Sequence, residues 1–142
     1  GSFSAGTGTV ILDGTNQTLS GTLVFNNLTK AVTIARTLTI SNSGIKSVSG
    51  ALVLQGTAGN LLSIRSSVTD SAARLFLDGD AGTQTLDYLN VQDSDASGGQ
   101  ELVCMTDTEG CIDNDNNTNW LVEIVEAATG TTRGYILLPF GP

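Results

Sequence analysis

The chain has 142 residues, 39% of them hydrophobic and 5% aromatic, and 6 basic against 14 acidic side chains give a net charge of −8. That length fits one domain, and a core of Val, Ile, Leu and Ala with so little aromatic bulk suits a narrow stacked interior better than a wide sandwich. The acidic balance argues against nucleic acid or an anionic membrane surface as partner, and with no 18-residue apolar run and no basic n-region neither a spanning helix nor an intact signal peptide is expected.

Residues 1–8 are small and polar and read as an N-terminal tail, or as a strand in need of a partner. Residues 10–13 form the first clear strand, and Asp13-Gly14-Thr15-Asn16 is a turn by composition. Strands are then expected at 18–20, 22–26, 31–35 and 37–41, with Ser and Thr at outward parity and no helical periodicity. Residues 47–64 set the pattern: Leu52 and Leu54 share one parity, Leu62 and Ile64 another, and Gly50, Gly56 and Gly59 fall between the runs. Further on, 65–73 is a polar corner, 74–78 and 85–92 are strands around the turn at 78–82, and 93–99 is an acidic loop. Leu89 and Val91 are placed inward.

Self-similarity points to stacking. Residues 9–12 align with 37–40, 19–25 with 48–54, and 32–34 with 62–64, at offsets of 28, 29 and 30. Matches in that order predict an all-β solenoid of short strands, with three strands and three corners in about 28–30 residues per coil. Charge is uneven along it: residues 1–69 hold Lys30, Arg36, Lys46 and Arg65 against Asp13, or +3, whereas residues 70–142 hold Arg74 and Arg133 against 13 acids, or −11. In a solenoid this makes the two ends electrically opposite, although an acidic surface that only keeps the protein soluble is the simpler reading.

Gly14-Thr15-Asn16-Gln17-Thr18-Leu19-Ser20-Gly21, Phe25-Asn26-Asn27-Leu28-Thr29-Lys30, residues 59–67, Leu89-Asn90-Val91-Gln92-Asp93-Ser94 and Asn116-Asn117-Thr118-Asn119-Trp120 follow one another in an order that resembles a module of large secreted or cell-surface bacterial proteins. The resemblance covers about residues 8–120. It implies a right-handed parallel β-helix and a role as adhesin, surface-layer or filament-like component, though fold alone does not fix activity. A cysteine pair and an extension after Trp120 depart from the pattern. The domain expectation is a tail at 1–8, a solenoid at 9–126, and a linker with a C-terminal strand at 127–142.

Cys104 and Cys111 flank a polar segment able to turn and bring their Cα atoms within disulfide range. They are read as a structural disulfide implying an oxidising location, with two free buried thiols as the alternative. Metal binding and thiolate catalysis are disfavoured, since the chain has no His and Asp107 and Glu109 would raise a thiol pKa. Asp113-Asn114-Asp115-Asn116-Asn117-Thr118-Asn119 invites a calcium reading but fails the EF-hand test: Thr118 stands where Gly is needed and Ile124 where a bidentate Glu is needed. Stacked Asn side chains at a corner explain it better. Three Asn-X-Thr sequons, at Asn16, Asn27 and Asn116, are expected by chance in so Asn- and Thr-rich a chain.

Asp78, Asp80, Asp93 and Asp95 could in principle act on a glycan, but each lies in a turn where a solvated acid is the default, and no aromatic platform for sugar rings is evident, the only Trp, Trp120, sitting at an expected module end. No catalytic, cofactor or metal residue is therefore assigned. Residues 133–140 end the chain with Tyr135, Ile136, Leu137, Leu138 and Phe140, a strand apolar on both faces that must be covered. The expectation is an exported, non-enzymatic structural protein that assembles head to tail with copies of itself through this strand, without membrane insertion. The alternatives are a strand that folds back on its own solenoid, and a monomeric adhesin or glycan-binding module at the cell surface.

Overall fold

The computed structural model describes residues 2–122, 125–126 and 131–132. The chain is a parallel β-helix in which each of the first four coils contributes one short strand to each of three sheets. The first coil is β1 (Ser2–Ser4), β2 (Thr9–Ile11) and β3 (Gln17–Leu19), and the second is β4 (Thr22–Phe25), β5 (Asn27–Ala31) and β6 (Arg36–Ile40). Then come β7 (Ile45–Val48), β8 (Ala51–Gln55) and β9 (Leu62–Ser66), and after them β10 (Ala73–Leu77), β11 (Thr83–Asp87) and β12 (Leu89–Val91). The fifth coil holds β13 (Ser94–Asp95), β14 (Leu102–Val103), a single helical turn α1 (Thr106–Glu109) and β15 (Ile112–Asp113). A sixth opens with β16 (Trp120–Leu121) on β14. Past it, β17 (Val125–Glu126) and β18 (Thr131–Thr132) pair antiparallel.

Of the two readings of residues 1–8, a tail or a strand in need of a partner, the second is found at Ser2–Ser4: β1 runs parallel to β4 with Phe3 opposite Leu23. The register corrects the coil length, which is not a constant 28–30 residues: Thr9 lies beside Asn27, 18 on, Leu28 beside Leu52, 24 on, and Ala51 beside Thr83, 32 on. The sequence alignment had laid 9–12 on 37–40, yet β2 pairs with β5 while β6 takes β3 and β9 as neighbours. Strands of one type, Thr alternating with an aliphatic residue, recur in all three sheets, so similarity cannot say which sheet a strand belongs to. Corners absorb the difference in length: residues 56–61 join β8 to β9, while Tyr88 alone joins β11 to β12.

Tyr88 also explains a parity conflict. Residues 85–92 are not one strand, because Tyr88 has φ 53° and turns the chain, so Leu86 before it and Leu89 and Val91 after it all reach the interior. Residues 31–35 likewise are not a strand: β5 ends at Ala31, and Ile34 sits in the corner, 59% exposed.

A second corner, from the β3 sheet to the β4 sheet, demands a left-handed residue in every coil. Gly21 (φ 77°), Gly44 (74°), Asp70 (64°), Asp93 (56°) and then Asp115 and Asn116 fill it in turn. At Gly44 the requirement is double, since a Cβ would stand 2.6 Å from the Gly21 carbonyl carbon. Gly, Asp and Asn are the residues that tolerate this region, the latter two by bonding nearby backbone. Inside, Leu28, Leu38, Leu52, Leu54, Leu62, Ile64, Leu75, Leu77, Leu89 and Val91 form one apolar column. Burying a Leu of this kind stabilises the fold by about 1.5–3 kcal/mol.

Candidate functional site

The N-terminal end of the helix leaves its sheets open among the described residues. β1, β2 and β3 are the outermost strands of their sheets, and among the described residues none has a partner on its outer side. Above the core, Phe3 is 44% exposed, its ring 5.9 Å from that of Phe25, and Val10 and Leu12 are half-buried. Unpaired parallel edges over an open apolar end are a template for another strand. The strand expected to supply it, with Tyr135, Ile136, Leu137, Leu138 and Phe140, lies outside the described residues.

Two lysines lie inside the helix, which the sequence reading missed. Lys30 shares the inward row of Leu54, and its Nζ donates to the Leu12, Gly14 and Thr15 carbonyls at 3.4, 3.3 and 3.0 Å and to Gln17 Oε1 at 2.5 Å. Lys46, between Leu23 and Leu75, donates to the Ser41 and Ser43 carbonyls at 2.6 and 2.7 Å. Both are fully buried. Each ammonium thus gathers the inward carbonyls of one corner, and no carboxylate is among the acceptors. Burial, reinforced by Arg36 and partly offset by Asp13, lowers the Lys30 pKa; burial and then Arg74 lower that of Lys46. The signal was legible: in Asn27-Leu28-Thr29-Lys30, Lys30 has the parity of Leu28. With two of its four cations inside, the N-terminal half shows less positive surface than +3 suggests.

The four candidate carboxylates do not act together. Asp78 Oδ1 accepts the Asp80 and Ala81 amides, both at 2.8 Å, which holds its pKa below the usual carboxylate value. Asp80 is exposed in the same turn, and Asp95 Oδ1 accepts the Ser97 amide. Asp93 is not the solvated acid expected of a loop: it is 3% exposed, its Oδ2 accepting the Asp70 amide at 3.1 Å and its Oδ1 the Asn116 side-chain amide at 2.5 Å. This left-handed corner is stitched coil to coil by its own side chains.

The Asn-rich run is spent the same way. Asn117 accepts the Ser94 amide and donates to Val91 O and Asp113 Oδ1, and Asn119 donates to the Ala96 and Gly99 carbonyls. No group of three potential metal-ligating side chains occurs among the described residues. Gln84, inward beside Leu52, donates to Gln100 Oε1 and Glu101 O and accepts the Val103 amide, so a polar interior position is satisfied.

Cys104 and Cys111 are joined, with Cα atoms 5.7 Å apart and both side chains fully buried. They flank the corner between β14 and β15, one coil beyond the corner that Tyr88 makes alone. The loop they close packs on that tyrosine: the Tyr88 amide donates to Glu109 O at 2.7 Å, and a Cβ on Gly110 would meet the ring at 2.6 Å. The longer corner is thereby held as tightly as the short one. Such a bridge fits an oxidising compartment. No helix among the described residues is long and apolar enough to cross a membrane.

Two shallow cavities mark the outer surface. One, about 240 Å³, lies over the Asp13–Thr15 and Val32–Arg36 corners and sets Asp13 and Arg36 around the exposed Ile34. The other, about 230 Å³, runs beside Phe76 and is floored by Ser47 and Ser49, with Asp78 and Gly98 at its rim. Comparison with known proteins adds nothing to this geometry: no family model matches the chain, and neither a curated protein nor a solved structure matches it.

Proposed function

We propose that this chain is an exported, non-catalytic structural subunit that assembles head to tail with copies of itself into an extracellular filament or surface layer. The observation that carries the reading is the N-terminal end, where, among the described residues, three parallel edges stand without an outer partner over partly exposed Phe3, Val10 and Leu12. Residues 133–140, whose sequence would make a strand apolar on both faces, offer a complement in the same chain. Added to such an edge in a second copy, it would satisfy the edge's backbone groups and cover apolar side chains at once. The acidic C-terminal half favours approach to the less acidic end of a neighbour over approach to its like, and a heterologous contact that does not close continues as a fibre.

Deletion of residues 131–142 tests this by sedimentation velocity and negative-stain imaging, with circular dichroism reporting the fold. Loss of assembly by a folded monomer is expected. Filaments that persist, or a full-length chain that stays monomeric at about 100 µM, a range in which weak strand addition is populated, would sink the reading in favour of a monomeric adhesin module.

A further inference from the structure

We propose that the groove beside Phe76 is a binding subsite for one neutral hexose unit of a glycan. Phe76 lies on the outer face of β10, opposite Ser47 of β7, and its half-buried ring forms one wall of the cavity of about 230 Å³. Gly98, which lines the same cavity, packs on the ring: a Cβ there would stand 2.3 Å from the ring carbon Cε2, so the missing side chain lets the 96–99 segment approach the ring closely. An aromatic wall that does not need to be ordered on binding loses less affinity to immobilisation.

The polar groups are of the kind that hydroxyl-rich ligands use. Ser47 makes no side-chain hydrogen bond among the described residues, and Ser49 Oγ has only long contacts, 3.4 Å to Phe25 O and 3.3 Å to Asn26 Oδ1. Asp78 is exposed and kept ionised by the two amides on its Oδ1, so its Oδ2 is presented as a fixed acceptor. A hexose offers a C–H face to an aromatic ring and hydroxyl donors around its edge, which matches a ring, two hydroxyls and a carboxylate. The volume holds one sugar ring, and the open groove lets a chain continue beyond it.

Charge narrows the choice. Asp78 sits in the half of the chain that carries −11, so a uronic or sialic acid would meet a like charge at the rim, whereas a neutral hexose donates to the same oxygen. Trp120 offers no such wall: it is half-buried and its Nε1 donates to Ser94 Oγ at 3.1 Å.

The test is a titration of the isotope-labelled full chain with cellotetraose, mannotetraose and trigalacturonate, each to about 10 mM, a range that resolves millimolar affinities, followed by amide chemical shifts. Expected are shifts at residues 47–49, 76–78 and 98 with at least one neutral tetrasaccharide and none with trigalacturonate. Phe76→Ala should weaken binding about tenfold and Phe76→Tyr should retain it. If Phe76→Ala does not fold by circular dichroism, Ser47→Ala with Asp78→Asn takes its place, with the same weakening expected. No shift with either neutral sugar, equal binding of trigalacturonate, shifts elsewhere only, or affinity unchanged in the variants would each overturn the subsite. So would loss of self-assembly in folded Phe76→Ala, which would place the ring in a contact between subunits. Filaments that form normally while the sugars fail to bind would remove this proposal and leave the assembly proposal standing.

Discussion

The first three coils and the last three solve the same geometric problem with different chemistry. In the N-terminal half the left-handed corner is made by Gly21 and Gly44, and the inward carbonyls of corners are gathered by the ammonium groups of Lys30 and Lys46. In the C-terminal half the same corner passes to Asp70, Asp93, Asp115 and Asn116, which bond one another's backbone and side chains, and the most elongated corner is held by Cys104–Cys111. Local charge follows from these choices: one half puts cations inside, and the other builds its turns from acids. The −11 is therefore partly a consequence of corner chemistry, because Asp70, Asp93 and Asp115 are there for their φ and their hydrogen bonds.

The comparison breaks most sharply at the corner. Gly44→Ala puts a Cβ against the Gly21 backbone in a left-handed conformation and should cost about 3 kcal/mol or more by urea unfolding. Asp70→Gly, at the equivalent place one coil on, keeps the conformation and should stay within about 1 kcal/mol. Equal losses at the two positions would mean that the corners are not equivalent. Next in size is the bridge. Cys104→Ala with Cys111→Ala should lower stability by about 2–3 kcal/mol, with mass spectrometry of the unreduced protein confirming the parent bond. An unchanged unfolding midpoint would show that the α1 loop is held by the Tyr88–Glu109 bond and packing alone.

Lys46→Met comes third. It removes the donor for two buried carbonyls while relieving the burial of a charge, and should destabilise by about 1–2 kcal/mol near neutral pH. The pH dependence has a definite sign. A lysine whose folded pKa lies below its unfolded value binds fewer protons when folded, so its contribution to stability rises with pH between the lowered pKa and about 10.4. Lys46→Met should flatten that slope, and a slope identical to the parent's would dissociate Lys46 from it.

What could be read in the sequence was what depends on parity over a few residues. Leu52, Leu54, Leu62 and Ile64 are inward as their spacing says, Leu89 and Val91 also, and the parallel solenoid and the cysteine pair follow from the same scale of pattern. Register was not legible, because Thr-aliphatic alternation is common to all three sheets and the corners vary from one residue to eight. Single-residue corners were hidden for the same reason: Tyr88 carries no Gly, Pro, Asn or Asp signal, and its positive φ is enforced by the Glu109 carbonyl that its amide reaches. Lys30 and Lys46 enter the sequence reading only as charges, although Lys30 has the inward parity of its neighbour Leu28. Charge can enter such an interior when corner carbonyls already point there.

Asp78 sharpens the comparison from the smallest effect. Its turn, residues 78–82, lies in the acidic half, yet the exposed Asp78 carboxylate acts within its own loop, accepting the Asp80 and Ala81 amides, and only the Asp78 backbone carbonyl reaches the next coil, through the Gln100 side chain. Those bonds favour the carboxylate and depress its folded pKa. A depressed carboxylate contributes stability that is present above its unfolded pKa and lost as pH falls through the folded one, so the effect should be confined to acid below about pH 4. Amide shifts of Asp80 and Ala81 should move together on acidification, with a midpoint below that of a model aspartate, and Asp78→Asn should abolish the titration while leaving the global midpoint near neutral pH unchanged. Asp93 is wired differently: it spans three coils through Asp70 and Asn116, so Asp93→Asn should instead disturb amides on both neighbouring coils. If Asp78→Asn spread as far as Asp93→Asn, the distinction between a turn that caps itself and a corner that ties coils together would fail.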